Sequence, residues 1–518
     1  MDRNPCTLTA LLDRWVCERG EQIALYFQDR KLTFRDLQQR SRTAAGVLSQ
    51  LGIGPGSRVA FLDRNHISFF ELMFGALYLG ATLLPLNFRL APTELLYVLT
   101  DSDAELLFVS ADYLPIVLSL RAHIPRLQRV IVIDESEGSE YSQLFVDAPR
   151  LSPVSLHHAE LDDVAVQMYT SGTTGQPKGA LLTHRGLWAV VEQGLGWCPW
   201  QSGDVGMAPM PLFHIGGCGW SLVMLHAGLS VVLLRDPDPL SLMRAVQRFR
   251  VTQMFVVPVL LSAMVNHPQR ADFDLRSLRH LFYGASPISA EVLASALANL
   301  SCGFVQVYGL TEATGTLTFL SAEDHLADRD RLRSCGRPGK DVTIRVIDAA
   351  GRDVPIGTVG EIIAKSPQVM AGYYNQPEAT SLAIRDGWLY TGDAGYLDGD
   401  GYLYICDRVK DMIISGGENI YPAEVESVLS AHPAIADLAV IGIPDPQWGE
   451  SVVACIVCKP GAHLELAELI QWARPRLAGY KIPRRIELRT SLPRNASGKV
   501  LRRELRAPYW EHEKRQVS

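Results

Sequence analysis

Short apolar runs alternate with longer segments of helical spacing over the first 335 or so residues, and few architectures accept that rhythm. In "FRDLQQRSRTAAGVLSQLGIGPGSRVAFL" the apolar residues keep helical spacing up to Leu51. A turn follows at Gly54, Pro55 and Gly56, then a strand near Val59 to Leu62. "AELLFVS", "RVIVID", "LSVVLLR", "VTQMFVVP" and "LRHLFYGAS" read as further buried strands set among helices. Parallel sheets covered by helices bury both faces of each strand, so this pattern predicts layered α/β structure. Beyond about residue 335 the texture becomes Gly-punctuated and alternating, in "VTIRVID", "GEIIAKS" and "GYLYICD", which predicts a β-rich, antiparallel part.

At 518 residues the chain exceeds the roughly 250–300 at which single cores stop growing, so more than one domain is expected. The charged segment "DRVKDMI" lies between two apolar runs, and about 108 residues follow Lys410, enough for a small α/β domain. The expected division is therefore residues 1–409 and 410–518. Apolar residues make up 47% and charged residues 20%, with net charge -7 and no long basic run, which argues for a globular chain and against nucleic acid as a partner.

The start lacks a basic segment followed by an apolar core, so a cytoplasmic location is expected. The apolar stretch from Leu72 to Leu86 is short for a membrane span and contains Pro85; it reads as a buried helix running into a strand. Peripheral membrane contact stays open. Nine cysteines form no dense framework, and Cys455 and Cys458 sit in a strand-like run where residues three apart face opposite ways, so they read as structural.

Four stretches carry chemistry. In "MYTSGTTGQPKGA" (168–180), Gly172 and Gly175 permit backbone angles that let successive N–H groups converge on an anion. Thr170, Ser171, Thr173 and Thr174 add hydroxyls, and Lys178 adds a cation; the same composition also suits a polar surface turn. It is not the common nucleotide loop, because Pro177 separates Gly175 from Lys178 and Gly179 replaces the hydroxyl that should follow the lysine. In "VQVYGLTEATG" (305–315), Tyr308 suits stacking on a base, Thr311 a phosphate and Glu312 a magnesium ion, although an isolated loop glutamate is equally a solvated one. In "YTGDAGYLDGDGYLYICDR", Asp393 suits ribose hydroxyls and Arg408 ribose or phosphate, while Asp398 and Asp400 read as a hairpin turn and not a calcium loop. Lys499 in "PRNASGKVLRREL" suits a phosphate presented by another domain, or plain solvation.

Taken in this order, "YTSGTTGQPKG", "YGLTE", "YTGD", "DRVKDMIISGGENIYPAEVE" and "PRNASGK" resemble the adenylate-forming superfamily, which includes acyl-CoA and aryl-CoA synthetases, over about residues 20 to 505. The resemblance implies a large N-terminal domain of α/β subdomains with a β-rich part, and a small mobile C-terminal α/β domain. It implies an ATP-dependent ligase that converts a carboxylic acid to an acyl-AMP with loss of pyrophosphate, then passes the acyl group to CoA. By similarity the 170–178 loop holds the β and γ phosphates, Thr311 a phosphate, and Glu312 Mg2+. Gly284, Ala285 and Ser286 with Tyr308 and Gly309 frame the adenine, and Asp393 and Arg408 hold the ribose.

Lys499 is implied to stabilise charge at the α phosphate, Lys410 to be the hinge, and Gly416 and Gly417 to pass close to the pantetheine arm. His214 in "PLFHIGGCGW" is implied to lie beside the acyl carboxylate, with a buried structural histidine as the alternative. The same stretch offers no carboxylate to pair with a substrate ammonium, so a hydrophobic acid is expected, fatty or aromatic. Its pocket is expected around His214–Trp220, Tyr283–Ser286 and Gln306–Thr314, narrowed by Val307 where many relatives have glycine. The alternatives are an adenylating enzyme with another acceptor, or a nucleotide-binding protein without turnover.

Overall fold

The computed structural model describes residues 6–136, 138–147, 156–170, 176–286, 288–327, 330–415, 418–494 and 500–510. Ser171, Gly172, Thr173, Thr174, Gly175, Gly416, Gly417 and Lys499 lie outside the described residues, as does the side chain of Lys410. The chain divides into two compact units, residues 1–343 with 364–389, and residues 344–363 with 390–518.

The first unit contains two sheets. Six strands of a nine-stranded sheet run parallel: Ile23–Phe27, Ser230–Leu233, Val205–Ala208, Gln253–Val256, His280–Gly284 and Gly303–Leu310. Antiparallel strands close it on both sides, Arg30–Thr33 at one edge and Gly315–Leu320 with Arg337–Pro338 at the other. The second sheet is seven-stranded and pairs Arg58–Leu62, Thr82–Pro85, Leu106–Val109 and Arg129–Val132 in parallel, with Val164–Thr170 beside Thr82–Pro85. Arg58–Leu62, Thr82–Pro85, Leu106–Val109, Arg129–Val132, Ser230–Leu233, Gln253–Val256 and His280–Gly284 are runs expected to be strands, whereas Ile23–Phe27, Val164–Thr170 and Val205–Ala208 are not singled out by the sequence; most residues of these strands are buried, as a sheet covered on both faces requires.

Local signals set the helices. Phe34–Gln50 starts at Thr33, whose hydroxyl accepts from Asp36 N at 3.0 Å while the Asp36 carboxylate accepts from Thr33 N at 2.9 Å, a reciprocal cap that satisfies two otherwise orphaned donors. The apolar stretch 72–86 resolves into the buried helix Ser68–Leu77 followed by the strand Thr82–Pro85, as expected. Among the described residues no helix is long and apolar enough to cross a membrane.

Trp388–Leu397, which passes into the second unit at Tyr390, and Leu403–Arg408 form an antiparallel hairpin. Asp398 and Asp400 occupy its turn, where Asp398 Oδ1 accepts from Asp400 N and Tyr402 N, both at 2.9 Å, so the acidic pair caps a turn. A further sheet carries Ile435–Asp445 against Gly449–Cys458, covered by the helices Pro422–Leu429 and Leu466–Ala473. Cys455 is buried, Cys458 half-buried, and both are free thiols. Where the chain enters its last 108 residues it makes a short 3-10 turn, Val409–Asp411, containing Lys410.

Candidate active site

Two stretches far apart in sequence meet in the first unit. Val164–Thr170 and Lys178–Thr183 are antiparallel neighbours with Thr170 opposite Lys178. The Thr170 hydroxyl donates to Glu312 Oε1 at 3.2 Å. Glu312 stands on the 3-10 turn Thr311–Ala313, which ends the strand Gly303–Leu310. The same carboxylate oxygen accepts from the Tyr373 hydroxyl at 2.9 Å, and Lys178 Nζ lies 5.0 Å from the Tyr373 ring centroid.

Tyr373 is thus a hub that motif reading missed. It belongs to "AGYYNQP", which has the look of a turn, and it reaches the site because Gly372–Tyr373 pairs with Ala180 and Leu181 as an added edge strand. Backbone contacts fix the same segment: Met370 N donates to the Glu312 carbonyl and Tyr374 N to that of Gly179, at 2.9 and 2.8 Å.

Close backbone approach sets the neighbouring turn. A Cβ on Gly309 would lie 1.7 Å from the Gly315 carbonyl oxygen, and one on Gly284 would lie 2.2 Å from that of Val307. Ala285 and Thr314 hold positive φ angles of 64° and 51°, a conformation that non-glycine residues adopt mainly where surroundings enforce it. Both line a cavity of about 80 Å3, together with Ile215, Trp220, Phe282 and Val307. Along Gly303–Leu310 the cavity takes Val307 and Gly309 and skips Tyr308, as the two-residue period of a strand dictates.

The pocket differs from expectation in its membership. His280–Gly284 presents Phe282, whereas Tyr283 is buried on the other face with its hydroxyl 2.8 Å from His325 Nε2. Trp197 and Phe255 enter the wall from elements that carry no motif. His214 immediately precedes the helix Ile215–His226 and is not among the lining residues; its Nε2 is buried without a hydrogen-bond partner. Burial, helped by the positive charge of Arg89, lowers its pKa to about 4, so the ring is neutral at pH 7.

Within the second unit, Asp393 and Arg408 face each other across the hairpin with Arg408 Nε 2.7 Å from Asp393 Oδ1. Arg408 also donates to the Thr391 carbonyl at 3.1 Å, and the Thr391 hydroxyl is tied to the Ile362 carbonyl at 2.7 Å. Beside them Asp407 is pushed up to about 6 by burial, against the pull of Arg502. Arg502 reaches Glu426 at 2.7 Å and Arg506 reaches Asp411 at 2.8 Å, so a buried ionic cluster ties the final helix to the segment around Lys410.

A sheet-built α/β unit presenting a carboxylate, a lysine and hydroxyls around one turn, beside an apolar cavity, is what an enzyme needs to bring an anionic nucleotide to a hydrophobic acid. The chain belongs to the AMP-binding enzyme family, whose model matches residues 12–374, and the model of the AMP-binding enzyme C-terminal domain matches residues 424–499. It is 41% identical over 481 residues to a feruloyl-CoA synthase of Amycolatopsis sp, covering 92% of this chain and 93% of the relative. It is 38% identical over 499 residues to the fatty acid–[acyl-carrier-protein] ligase ScoC of Streptomyces coeruleorubidus, covering 96% and 95%. Among solved structures it resembles o-succinylbenzoate CoA synthetase (MenE) of Bacillus subtilis in complex with the acyl-adenylate intermediate OSB-AMP, with TM-score 0.86, 31% identity and coverage of 96% and 97%. The expected superfamily, its α/β fold and its ligase class therefore stand.

Proposed function

We propose that the chain is an ATP-dependent ligase that activates a hydrophobic carboxylic acid as its acyl-AMP and transfers the acyl group to CoA. The observation that supports this reading most is the Thr170–Glu312 contact, which joins the first residue of the hydroxyl-rich motif to the carboxylate of "YGLTE" across 142 residues of sequence. In the first half-reaction a substrate carboxylate oxygen attacks the α phosphorus of ATP, the bond to the bridging oxygen breaks, and pyrophosphate leaves. In the second, the CoA sulfur attacks the acyl carbon, AMP leaves with the bonding pair, and the thiol proton passes to solvent.

Both reactants of the first step are anions, so fixed positive charge and donors are what the site must supply. Thr170, Ser171, Thr173, Thr174 and Lys178, with the backbone of Gly172 and Gly175, hold the β and γ phosphates. Glu312 fits Mg2+: it offers a partly exposed carboxylate with hydroxyls gathered on one oxygen, and a magnesium ion is ordinarily held by one or two carboxylates plus substrate phosphates. That ion supplies charge neutralisation when bound. Thr311 takes a phosphate, Tyr308 and the backbone of Gly284–Ser286 and Gly309 frame the adenine, and Asp393, positioned by Arg408, takes the ribose. Lys499 stabilises the α phosphate, Lys410 is the hinge of the small domain, Gly416 and Gly417 admit pantetheine, and the neutral His214 guards the carboxylate end.

Pyrophosphate release over a panel of acids, with and without CoA, tests this. Release that requires an acid, and a thioester that further requires CoA, are expected. Phosphate release without any acid overturns adenylation. A phosphopantetheinyl carrier protein belongs in the same assay, because one relative acts on such an acceptor; a thioester formed on the carrier and not on CoA would replace CoA in this reading. Lys499→Ala is expected to stop acyl-AMP formation while sparing turnover of supplied acyl-AMP with CoA, and equal loss of both refutes its role.

A further inference from the structure

The Glu312 turn runs straight into backbone that needs outside support. Thr314 and Gly315 hold φ angles of 51° and 128°, and the pairing of Gly303–Leu310 with Gly315–Leu320 shifts register between Tyr308 and Gly309. A non-glycine residue keeps a left-handed conformation only where its surroundings over-determine it.

Gln368 supplies that support. It is 1% exposed and grips the turn on both sides of Gly315: its carbonyl accepts from the Thr314 hydroxyl and its Nε2 donates to the Thr316 carbonyl, each at 2.5 Å. Two residues on, Met370 N donates to the Glu312 carbonyl at 2.9 Å. The helix His184–Gly194 closes the space behind. A Cβ on Gly186 would lie 2.9 Å from Thr314 Oγ1 and 3.3 Å from the Gln368 carbonyl oxygen, so neither group has room to swing aside.

The same run then turns to the other motif. Ala371 N donates to the Leu181 carbonyl at 2.9 Å and Tyr374 N to that of Gly179 at 2.8 Å, beside the pairing of Gly372 and Tyr373 with Leu181 and Ala180. One continuous stretch, residues 366–374, therefore ties the Glu312 turn to the strand that begins at Lys178. Within it Tyr373 holds the Glu312 carboxylate itself, and Gln368 holds the backbone just beyond the residue from which that carboxylate projects.

We propose that Gln368 is a positioning residue for adenylation: by pinning Thr314 and Thr316 it fixes the backbone that carries Glu312, and so sets where the carboxylate meets magnesium-ATP. The proposal rests on the reading of Glu312 as the magnesium carboxylate. A side chain at this remove matters because displacing a reacting group by about 1 Å can cost about 10²-fold in rate. Loss of the amide also deprives the buried Thr316 carbonyl of this donor, which favours a shift of the turn.

Gln368→Met keeps the length of the side chain and removes the donor. In the full chain it is expected to weaken binding of ATP in excess magnesium about tenfold by calorimetry, with ATP in excess EDTA bound within about twofold of the native chain. Acyl-AMP formation is expected to fall about 10- to 10²-fold, whereas thioester formation from supplied acyl-AMP and CoA, which uses no polyphosphate, stays within about twofold. Equal loss of both half-reactions, or unchanged magnesium-ATP affinity, overturns the proposal. Thr314→Val breaks the contact from its other end and is expected to weaken magnesium-ATP binding likewise, while Thr314→Ser, which keeps the hydroxyl, retains that binding; equal binding by the two refutes the pinning. Should Gln368→Met not fold, as read by circular dichroism, this Thr314 pair decides. The binding measurements separate the proposal from the ligase reading: in a native chain that makes no acyl-AMP from any acid, weaker magnesium-ATP binding by Gln368→Met still supports the positioning, and unchanged binding refutes it. A native chain that binds ATP no better with magnesium than with EDTA overturns it as well.

Discussion

Glu312 shows how one side chain can be more constrained than its motif suggests. One of its oxygens takes two hydroxyl donors, from Thr170 and Tyr373, which orients the carboxylate before any ligand arrives. Glu312→Gln keeps the shape and removes the charge, and is expected to slow acyl-AMP formation about 10²- to 10³-fold, as for other preorganised electrostatic groups. Tyr373→Phe removes one orienting bond and leaves the carboxylate, so a loss of about tenfold is expected, carried mainly by the KM for ATP with magnesium. A loss from Tyr373→Phe as large as that from Glu312→Gln would show that the tyrosine does more than orient. Sequence alone brought out Thr170 and Glu312 because hydroxyls and a carboxylate among glycines stand out. Tyr373 and Trp197 did not, since aromatic residues in a turn or near a helix end look like ordinary packing until the sheet partner and the cavity are known.

At the scale of elements, the site depends on where Gly303–Leu310 stops and turns. Gly309 pairs with Thr316 and Leu310 with Gly315, and the chains approach so closely that a methyl on Gly309 would overlap the Gly315 carbonyl. Gly309→Ala is expected to lower stability by about 1–3 kcal/mol through forced displacement of the hairpin, read as a lower midpoint of thermal unfolding, with adenylation lost as well. An unchanged midpoint would mean that the strands part without cost. Most of the expected strands and the helix after Thr33 could be read locally, because apolar runs and capping residues act over a few positions. The face each strand residue takes could not: the pocket was expected near Tyr283, and the structure turns Phe282 inward, because register is fixed by the neighbouring strands Gln253–Val256 and Gly303–Leu310 and not by the run itself.

At the scale of the whole molecule, buried histidines set its tolerance of acid. His184 and His214 are both lowered to about 4 by burial, and the His184 ring serves as an acceptor, taking a hydrogen bond from Leu8 N at 3.1 Å. Their folded values lie below the unfolded value of about 6.5, so the unfolded chain binds protons first as pH falls. Stability is therefore whole above about pH 6.5 and is lost progressively toward pH 4. The midpoint of thermal unfolding should drop across that window, and His184→Gln, which retains an acceptor, should flatten part of the drop; a midpoint constant from pH 7 to 4 contradicts both assignments. The existence of two units was legible from length. Their extents were not: residues 344–363 pair in one sheet with the strands around 390–408, and that sheet meets the C-terminal part through side chains, as where Ala423 N donates to Asp407 at 2.8 Å.

The ring of indoles around the cavity gives the chain a built-in optical probe. Trp197, Trp200 and Trp220 surround or back the same small space, so whatever fills it changes the polarity felt by three fluorophores at once. Occupancy of the cavity can then be followed by ultraviolet emission in the unlabelled protein, without nucleotide and without turnover.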